Sequence, residues 1–502
     1  MIEQLDTLYN EEGYYIKNRG GFFAGKKLVT VITPVYNAEP FLEKTIESVI
    51  NQSIGFKNIE FIIVDDHSTD GSRQIIWDYA AKYPNIKAVF LKKNTGSPAA
   101  PRNLGIELAK TDWVTFLDAD DWLHEEGVKA LYDLAKETGD NYVAGRTMKA
   151  ESGGFKIVGE HQSAIERRSV SPFTIKHIFQ HLGPTARMMK RKLLLDKNIR
   201  FPHLKFAEDK QFFIDVLINC PTISTTKKVA YYANRLDENE SSLTSKTTVM
   251  EKTDTNIQVI KYVKQKKLPE EQEKMILNRL YEFDCITRLF DRQHFLKSET
   301  KEDYFDKFRE VLATASDLDY EISDNFFHPF NRTVYRLFLQ EDYQQMIDLI
   351  RWNKKTKQKQ HIIKDGLPYI TTPFEGTLAE NIRVPLLAIY QSGYFEGDSY
   401  HLTVQIFGEE IDKVEELVFR NRQDVNEEYA FTLQPDESRI ASISIEVAEL
   451  DKLPTKSFEV FIRYDVYRKI NILRPEQLQI DKRLLNFYTT LNSNLGFKIT
   501  KA

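Results

Sequence analysis

Three places in the sequence carry carboxylates where chemistry could use them. Asp118-Ala119-Asp120-Asp121 directly follows the apolar run 113–117. Alternate residues leaving a strand can aim two carboxylates toward one cavity. Hard oxygens so placed, together with diphosphate oxygens, suit Mg²⁺ or Mn²⁺, which would neutralise a leaving diphosphate. The plainer reading is a solvated acidic turn that caps the residues from Leu123 onward. Asp66 also ends an apolar run, about fifty residues upstream, and Asn94 and Arg102 lie in and after the Gly/Pro loop between the two. Arg can pair with phosphate or hold a carboxylate. Four polar positions thus converge on one edge. The third place is Glu208-Asp209, ahead of the amphipathic stretch 212–218. Acids there are favourable at a helix N-terminus for structural reasons alone. A carboxylate within reach of a hydroxyl could also act as a general base.

These residues need a scaffold, and the surrounding pattern supplies one. Residues 28–35, 59–64, 86–91 and 113–117 read as buried strands, with helical spacing in 40–52, after Ser68 to Gly71, and in 102–110. Strand and helix alternating four times predict a parallel α/β sheet with helices on both faces. Ligands of such sheets bind at the C-terminal ends of the strands, where Pro34 to Asn37, Asp65-Asp66 and Asp118 to Asp121 all fall. From about 246 the pattern turns helical, with Ile276, Leu280, Phe283, Ile286 and Phe290 forming one apolar stripe. A polar, basic linker at 352–360 leads into short alternating strands, such as 401–406, 442–447 and 458–463, which predict a β-sandwich. The expected organisation is an N-terminal extension (1–27), a catalytic α/β domain (28–245), a helical linker domain (246–364) and a β-sandwich (365–502) for oligomerisation or acceptor binding.

Composition sets outer limits. The 502 residues carry a net charge of −5, so the chain as a whole is not a nucleic-acid polycation. The two cysteines exclude a disulfide framework and a four-cysteine zinc site. Residues 1–27 contain no signal-peptide apolar run, and nothing approaches the ~20 apolar residues of a membrane span. A cytoplasmic protein is expected, with peripheral contact at the inner membrane face still open. Locally, Arg187, Lys190, Arg191, Lys192, Lys197, Arg200 and Lys205 face a single acid, Asp196. Such a stretch before Glu208-Asp209 could attract a polyanionic acceptor, with Arg187, Lys190, Arg191 and Lys192 as contacts. It could equally be a solvated helix face whose Lys and Arg stems cover apolar surface.

Thr33-Pro34-Val35-Tyr36-Asn37, Val64-Asp65-Asp66-His67-Ser68-Thr69-Asp70-Gly71-Ser72, Asn94 with Pro101-Arg102-Asn103, and Leu117-Asp118-Ala119-Asp120-Asp121 together resemble family 2 glycosyltransferases of the GT-A nucleotide-sugar fold. The resemblance covers about 28–245. Residues 94–103, Ala207-Glu208-Asp209 and the β-rich tail are similar to Gram-positive enzymes that glycosylate wall teichoic acid. The resemblance implies a UDP-sugar donor, with Pro34 and Tyr36 bordering the uracil pocket, Asp66 and Asn94 contacting uracil, and Arg102 fixing the donor loop. Asp118 would touch the ribose or sugar, and Asp120 would hold Mn²⁺ or Mg²⁺. Asp209 would be the catalytic base with Glu208 beside it. Arg235 and Ser242 would sit on a loop closing over the diphosphate. It further implies an inverting, metal-dependent transfer to a polyol-phosphate polymer, giving a β-glycoside, and a homotrimer built by the tail.

Two other readings stand beside this one. A soluble family 2 transferase could instead build capsule, lipid-linked or glycoprotein glycans. A processive membrane polymerase is disfavoured, because Asp348 rather than Gln precedes Arg351-Trp352 at the signature spacing. A non-catalytic carbohydrate-binding protein would use the β-rich tail, and slow release of UDP from a UDP-sugar without acceptor would argue against it.

Overall fold

The computed structural model describes residues 8–19, 26–236, 247–357, 359–454, 457–473, 477–480, 483–489 and 495–501. The chain forms two compact units, Met1–Arg351 and Trp352–Ala502.

In the first unit one mixed sheet runs through eleven strands: β1 (Tyr14–Lys17), β2 (Val29–Val35), β3 (Ile59–Asp65), β4 (Ile86–Leu91), β5 (Trp113–Phe116), β6 (Trp122–Leu123), β7 (Tyr142–Glu151), β8 (Gly154–Val158), β9 (Arg167–Val170), β10 (Arg187–Lys190) and β11 (Ile223–Asn234). Its order is β1-β4-β3-β2-β5-β10-β7-β11-β6, with β8 on β7 and β9 on β11. The four strands expected from the sequence, β4-β3-β2-β5, pair in parallel. β10 then runs antiparallel to both β5 and β7. Its four residues, Arg-Met-Met-Lys, do not read as a strand in isolation, because Met and Arg carry no strong strand preference.

Helices α1 (Glu39–Ile50), α2 (Ser72–Lys82) and α4 (Gly127–Thr138) cover one face of the sheet, and α3 (Ala99–Leu108) packs against β2 and β3. Val29, Val31, Val35, Phe61 and Ile63 join Leu42, Ile46, Trp77 and Leu131 in one core cluster. Ile32, between them in sequence, points to the other face, where it meets Gly105 of α3. Burial on both faces is why these strands read as continuous apolar runs.

Beyond α5 (Glu208–Ile218) the chain continues as helices: α6 (Val249–Gln265), α7 (Glu270–Asn278), a wide π-helical segment (Arg279–Thr287), α8 (Lys301–Ala313), α9 (Pro329–Leu339) and α10 (Tyr343–Lys355), whose residues from Trp352 on are counted with the second unit. The apolar stripe departs from its expected register here. Ile276, Leu280, Ile286 and Phe290 are buried, but Phe283 is only half-buried beneath Arg279, while Glu282 and Asp284 turn fully inward. A π turn holds more residues than an α turn, so it rotates successive side chains away from the 3.6-residue stripe. Among the described residues, no helix is long and apolar enough to cross a membrane.

The second unit is β-rich. A seven-stranded sheet contains Leu386–Glu396, Ser399–Gly408, Val414–Asn421 and Phe458–Tyr464 and packs Ala388, Val404, Ile406, Leu417 and Ile462 into its own core. The alternation from Ser442 stops one residue early. The strand ends at Glu446, and Val447 opens a helical turn with its N–H on the Asp398 carbonyl at 2.8 Å.

Gly105 gives the fold its most direct test. A Cβ there would lie 2.4 Å from Ile32 Cγ2, inside the core between α3 and β2. Gly105→Ala should destabilise the protein by about 1–3 kcal/mol through overpacking, despite a gain of ~1 kcal/mol in helix propensity. Urea unfolding measures this, and a more stable variant would contradict the close approach.

Candidate active site

The C-terminal ends of β2, β3 and β5 present their loops side by side, and the loops bond to one another. Asn37, at φ +50°, accepts the Thr69 N–H on its side-chain oxygen at 2.7 Å, and its own N–H reaches Ser68 Oγ at 3.0 Å. Glu39 accepts from the Gly71 N–H at 2.8 Å, and Asp70 from the Glu39 N–H at 3.1 Å. These bonds consume the polar residues around Asp65-Asp66 and leave Tyr36 exposed at the lip, with Pro34 buried beneath it. Asp65 is structural: it is fully buried and pairs with Arg73 at 2.7 Å.

Asp66 and Asn94 come together. Asn94 donates to the Asp66 carbonyl at 2.9 Å and accepts from the Gly96 N–H at 2.8 Å. The Asp66 carboxylate accepts from both the N–H and the hydroxyl of Thr95, each at 2.9 Å. Burial raises the Asp66 carboxyl above its ordinary value, and the Thr95 bonds offset only part of this. The pair thus forms a firm polar floor between β3 and the Gly/Pro loop.

Arg102, buried in the first turns of α3, is the link between the other two carboxylate groups. It reaches Asp118 Oδ1 at 2.7 Å and Glu208 Oε1 at 3.1 Å. Burial disfavours its charge, but Asp118 and then Glu208 outweigh this and hold it above the usual guanidinium range. One cation therefore fixes the Asp-x-Asp loop against the N-terminus of α5. Ala207, just before Glu208, is buried and left-handed at φ +67°. An alanine in that region costs about 1–3 kcal/mol, and such strain concentrates at functional sites. Burial, then the neighbouring Asp209, pushes the Glu208 carboxyl up to about 7. Burial also raises Asp209, against the opposing pull of Lys210 and Arg102.

The three aspartates of the Asp-x-Asp run divide their work. Asp121 is the structural one: it accepts from the Tyr231 hydroxyl at 2.7 Å and the Asn234 N–H at 2.7 Å. Burial, then Asp120 and Asp118, push its carboxyl well above the ordinary range. The Tyr231 oxygen accepts the Asp118 N–H at 3.1 Å, so β11 braces the loop from behind. Asp118 and Asp120 stay half-exposed. Among the described residues no group of three or more His, Cys, Asp or Glu is placed to hold a metal ion. Asp118 and Asp120 still fit a hard divalent cation that draws its remaining ligands from phosphate oxygens, because Mg²⁺ takes one or two carboxylates in such sites. Arg235 is exposed, 3.9 Å from Asp121. Ser242 lies outside the described residues.

The structure does not bring Arg187, Lys190 or Arg191 to the carboxylates. Arg187 is 1% exposed, and its guanidinium is spent on buried partners, among them the Tyr142 hydroxyl at 2.6 Å and Gln162 Oε1 at 2.9 Å. Buried in this way, it cannot be the acceptor contact that its sequence neighbourhood suggested. Lys190 pairs across from Trp113, the first residue of β5, and so sits at the sheet edge opposite Asp118. Arg191 donates to the carbonyls of Ile106 and Glu107 at 2.8 and 2.9 Å, satisfying the C-terminus of α3. Lys192 is exposed and pairs with Asp196. Tyr231, Thr95 and Lys210 are the site residues that the sequence reading missed. Of these, Thr95, within the 94–103 motif, and Lys210, next to Asp209, carried a signal.

Glu208 yields a pH test. Its folded value, about 7, lies above the ordinary 4.5, so the folded state binds the proton more tightly. Stability from this group is full below pH 4.5 and falls as pH rises toward 7. Glu208→Gln should therefore raise Tm relative to the wild type at pH 8 but not near pH 4.5. Equal shifts at both pH values, read by thermal unfolding, would contradict the buried-carboxyl account.

Comparison with known proteins agrees with this geometry. The sequence model of glycosyl transferase family 2 matches residues 30–196. The poly(ribitol-phosphate) beta-N-acetylglucosaminyltransferase TarP of Staphylococcus aureus is 33% identical over 233 residues, which are 43% of this chain and 68% of that protein. The poly(ribitol-phosphate) beta-glucosyltransferase of Bacillus spizizenii is 31% identical over 210 residues, 41% of this chain but only 32% of that protein. The matched part thus spans about a third of the latter's length. The crystal structure of S. aureus TarS superposes with a TM-score of 0.57 at 19% identity, covering 95% of this chain and 85% of that one, which establishes a shared fold. With its motifs at the strand ends and two thirds of TarP matched at 33% identity, this chain belongs to glycosyl transferase family 2 and is closely related to the Gram-positive wall teichoic acid glycosyltransferases.

Proposed function

We propose that this protein transfers a sugar from a UDP-sugar to a hydroxyl of a polyol-phosphate cell-wall polymer, wall teichoic acid, inverting the anomeric centre to give a β-glycoside. The observation that carries this reading is the Arg102 guanidinium bonded to both Asp118 and Glu208. It puts a donor-side carboxylate and the residue next to the proposed base, Asp209, on one cation. TarP and the B. spizizenii enzyme, a poly(ribitol-phosphate) beta-N-acetylglucosaminyltransferase and a poly(ribitol-phosphate) beta-glucosyltransferase, suggest the acceptor class.

In this reading Tyr36 and Pro34 border the uracil, and the Asp66–Asn94 floor receives its polar edge. Asp118 holds the ribose or sugar, and Arg235 approaches the diphosphate. Asp120 is the residue that would hold Mn²⁺ or Mg²⁺, which when bound neutralises the leaving diphosphate as a Lewis acid. Asp209 accepts the proton of the acceptor hydroxyl. That oxygen bonds to the anomeric carbon as the bond from that carbon to the UDP oxygen breaks, so a single displacement inverts the centre. Burial, then Asp209, raise the Glu208 carboxyl toward its neutral form, which lessens its competition with Asp209 for the Arg102 charge.

A panel of UDP-glucose, UDP-galactose and UDP-N-acetylglucosamine against poly(ribitol phosphate) and poly(glycerol phosphate) tests the reading, with the product anomer read by NMR. Asp209→Asn should bind UDP-sugar but lose at least ~100-fold in transfer, the scale of general base catalysis. EDTA should abolish wild-type transfer. Normal transfer by Asp209→Asn alongside a dead Glu208→Gln would move the base to Glu208, and full activity in EDTA would remove the metal.

We further propose that the β-rich unit assembles a homotrimer, because it carries a core of its own and no predicted site residue. Oligomerisation would let one long polymer engage several sites and gain avidity. Light scattering should give three chains for the full protein and one for the chain ending at Arg351. A trimer that persists in the shortened chain would place the interface in the first unit.

A further inference from the structure

The bonds of Arg187 have a consequence for the acceptor side. Besides Tyr142 and Gln162, its guanidinium donates to the backbone carbonyls of His181, Gly183 and Thr185, the last at 2.8 Å. From the helical region, Arg279 donates to the Gln180 carbonyl while pairing with Asp284 at 2.8 Å. Two guanidiniums from distant segments therefore pin residues 180–185, a short stretch that belongs to neither strand nor α-helix at 181–185.

What this stretch carries explains the investment. A Cβ built on Gly183 would have only two groups close by: Asp209 Oδ2 at 3.9 Å and His181 Nε2 at 3.9 Å. Gly183 does not have a positive φ, so its lack of a side chain is not a backbone requirement. It leaves open a notch walled by a carboxylate oxygen and an imidazole nitrogen. The imidazole is itself held. Gly159, at φ +63°, passes so close beneath the ring that a Cβ there would lie 2.4 Å from His181 Nδ1. Arg187 Nη2 lies 3.4 Å from the same Nδ1. Guanidinium only donates, so Nδ1 accepts, and a neutral ring then carries its proton on Nε2. Burial, then the Arg187 charge, push the His181 pKa well below its ordinary value, which keeps the ring neutral.

We propose that the notch at Gly183 receives the acceptor: Asp209 Oδ2 takes the proton of the attacking hydroxyl, and His181 Nε2–H donates to the neighbouring oxygen of the same polyol. This rests on the reading of Asp209 as the base. It assigns His181 as an acceptor-binding residue, Gly183 as the position whose missing side chain admits a substituted alcohol, and Arg187 as a positioning residue for both. Binding the neighbouring oxygen, not the attacking one, leaves the nucleophile's lone pair free. A vicinal diol presents two oxygens with the spacing that two-sided notch can use, which is the chemical class of a polyol chain.

The test uses the full chain with the UDP-sugar and polymer pair that the donor panel selects, and reads transfer to polymer against hydrolysis of the same UDP-sugar by water. In Gly183→Ala the added methyl makes only ordinary contacts at 3.9 Å, so the variant should fold. It fills the place of the acceptor, while water is small enough to enter. The transfer-to-hydrolysis ratio should fall at least about tenfold, with acceptor KM raised and donor KM unchanged. His181→Phe keeps a ring over Gly159 and removes the donor, and it should lower the same ratio by about tenfold while retaining the wild-type Tm. An unchanged ratio in either variant overturns the proposal. So does an equal loss of transfer and hydrolysis with raised donor KM, which would place the notch on the donor side. Normal transfer by Asp209→Asn overturns the base reading and the notch with it, whereas loss in Asp209→Asn with no effect at Gly183 and His181 leaves the base in place and removes only the notch.

Discussion

One buried guanidinium, shared between two carboxylates that are 90 residues apart in the chain, holds the catalytic face of this protein together. Arg102 touches Asp118, at the end of β5, and Glu208, at the start of α5. A buried charge left with no partner typically costs about 3–5 kcal/mol, because it sits in a poor solvent. The Asp118 carboxylate meets that cost for Arg102, and the Glu208 side chain, neutral or charged, takes the second hydrogen bond. Both bonds form only when the Asp-x-Asp loop and the N-terminus of α5 face the guanidinium. The same contact sets the electrostatics. With one cation serving several acids, burial prevails over attraction at Glu208, and its carboxyl rises toward neutrality.

Around this centre the protein places groups that support it without touching it. Tyr231 and Asp121 brace the Asp-x-Asp loop from β11, so that Asp118 and Asp120 leave the strand in a defined direction. On the other side Lys210 pairs with Asp284 at 2.8 Å and with the Asn256 side-chain oxygen at 2.8 Å. Asp284 sits in the π-helical segment and also meets Arg279 and Arg288. Burial opposes its charge, but Arg279 and Lys210 prevail and hold the carboxyl below the usual range. On top of burial, Lys210 draws the neighbouring Asp209 carboxyl down while Asp284 pushes it up. The helical region is therefore part of the electrostatic setting of Asp209 and not only packing. The left-handed Ala207 stores strain at the junction, and this network over-determines it.

Where sequence reasoning succeeded, it dealt with short-range physics. The runs at 28–35, 59–64 and 113–117 had to be strands covered on both faces, and ligands of such sheets gather at one edge. Asp66, Asn94 and Asp118 follow from that rule, since each lies within a few residues of a strand end, whereas Arg102 lies in α3 and reaches the same edge through its long side chain. The resemblance to family 2 enzymes rests on those same residues. Glu208 and Asp209 were visible because a pair of acids opens an amphipathic segment.

The basic stretch was misplaced because charge density along a chain says nothing about direction. Arg187, Lys190 and Arg191 are neighbours in sequence, yet β10 turns one into the core and carries the others to the far edge of the sheet. That outcome depends on β10 pairing with β5 and β7, which is decided by residues 43 to 77 positions away. The division among Asp118, Asp120 and Asp121 has the same origin: only the arrival of Tyr231, 110 residues later, makes Asp121 the inward one. The sequence by itself determined which chemistry could be assembled and at which end of which strands, because strand periodicity and motif spacing are local. The tertiary structure alone decided which carboxylate is buried, which arginine is shared and what faces Asp209. Those are set by the cost of leaving a buried charge unpaired, and the partners come from remote parts of the chain.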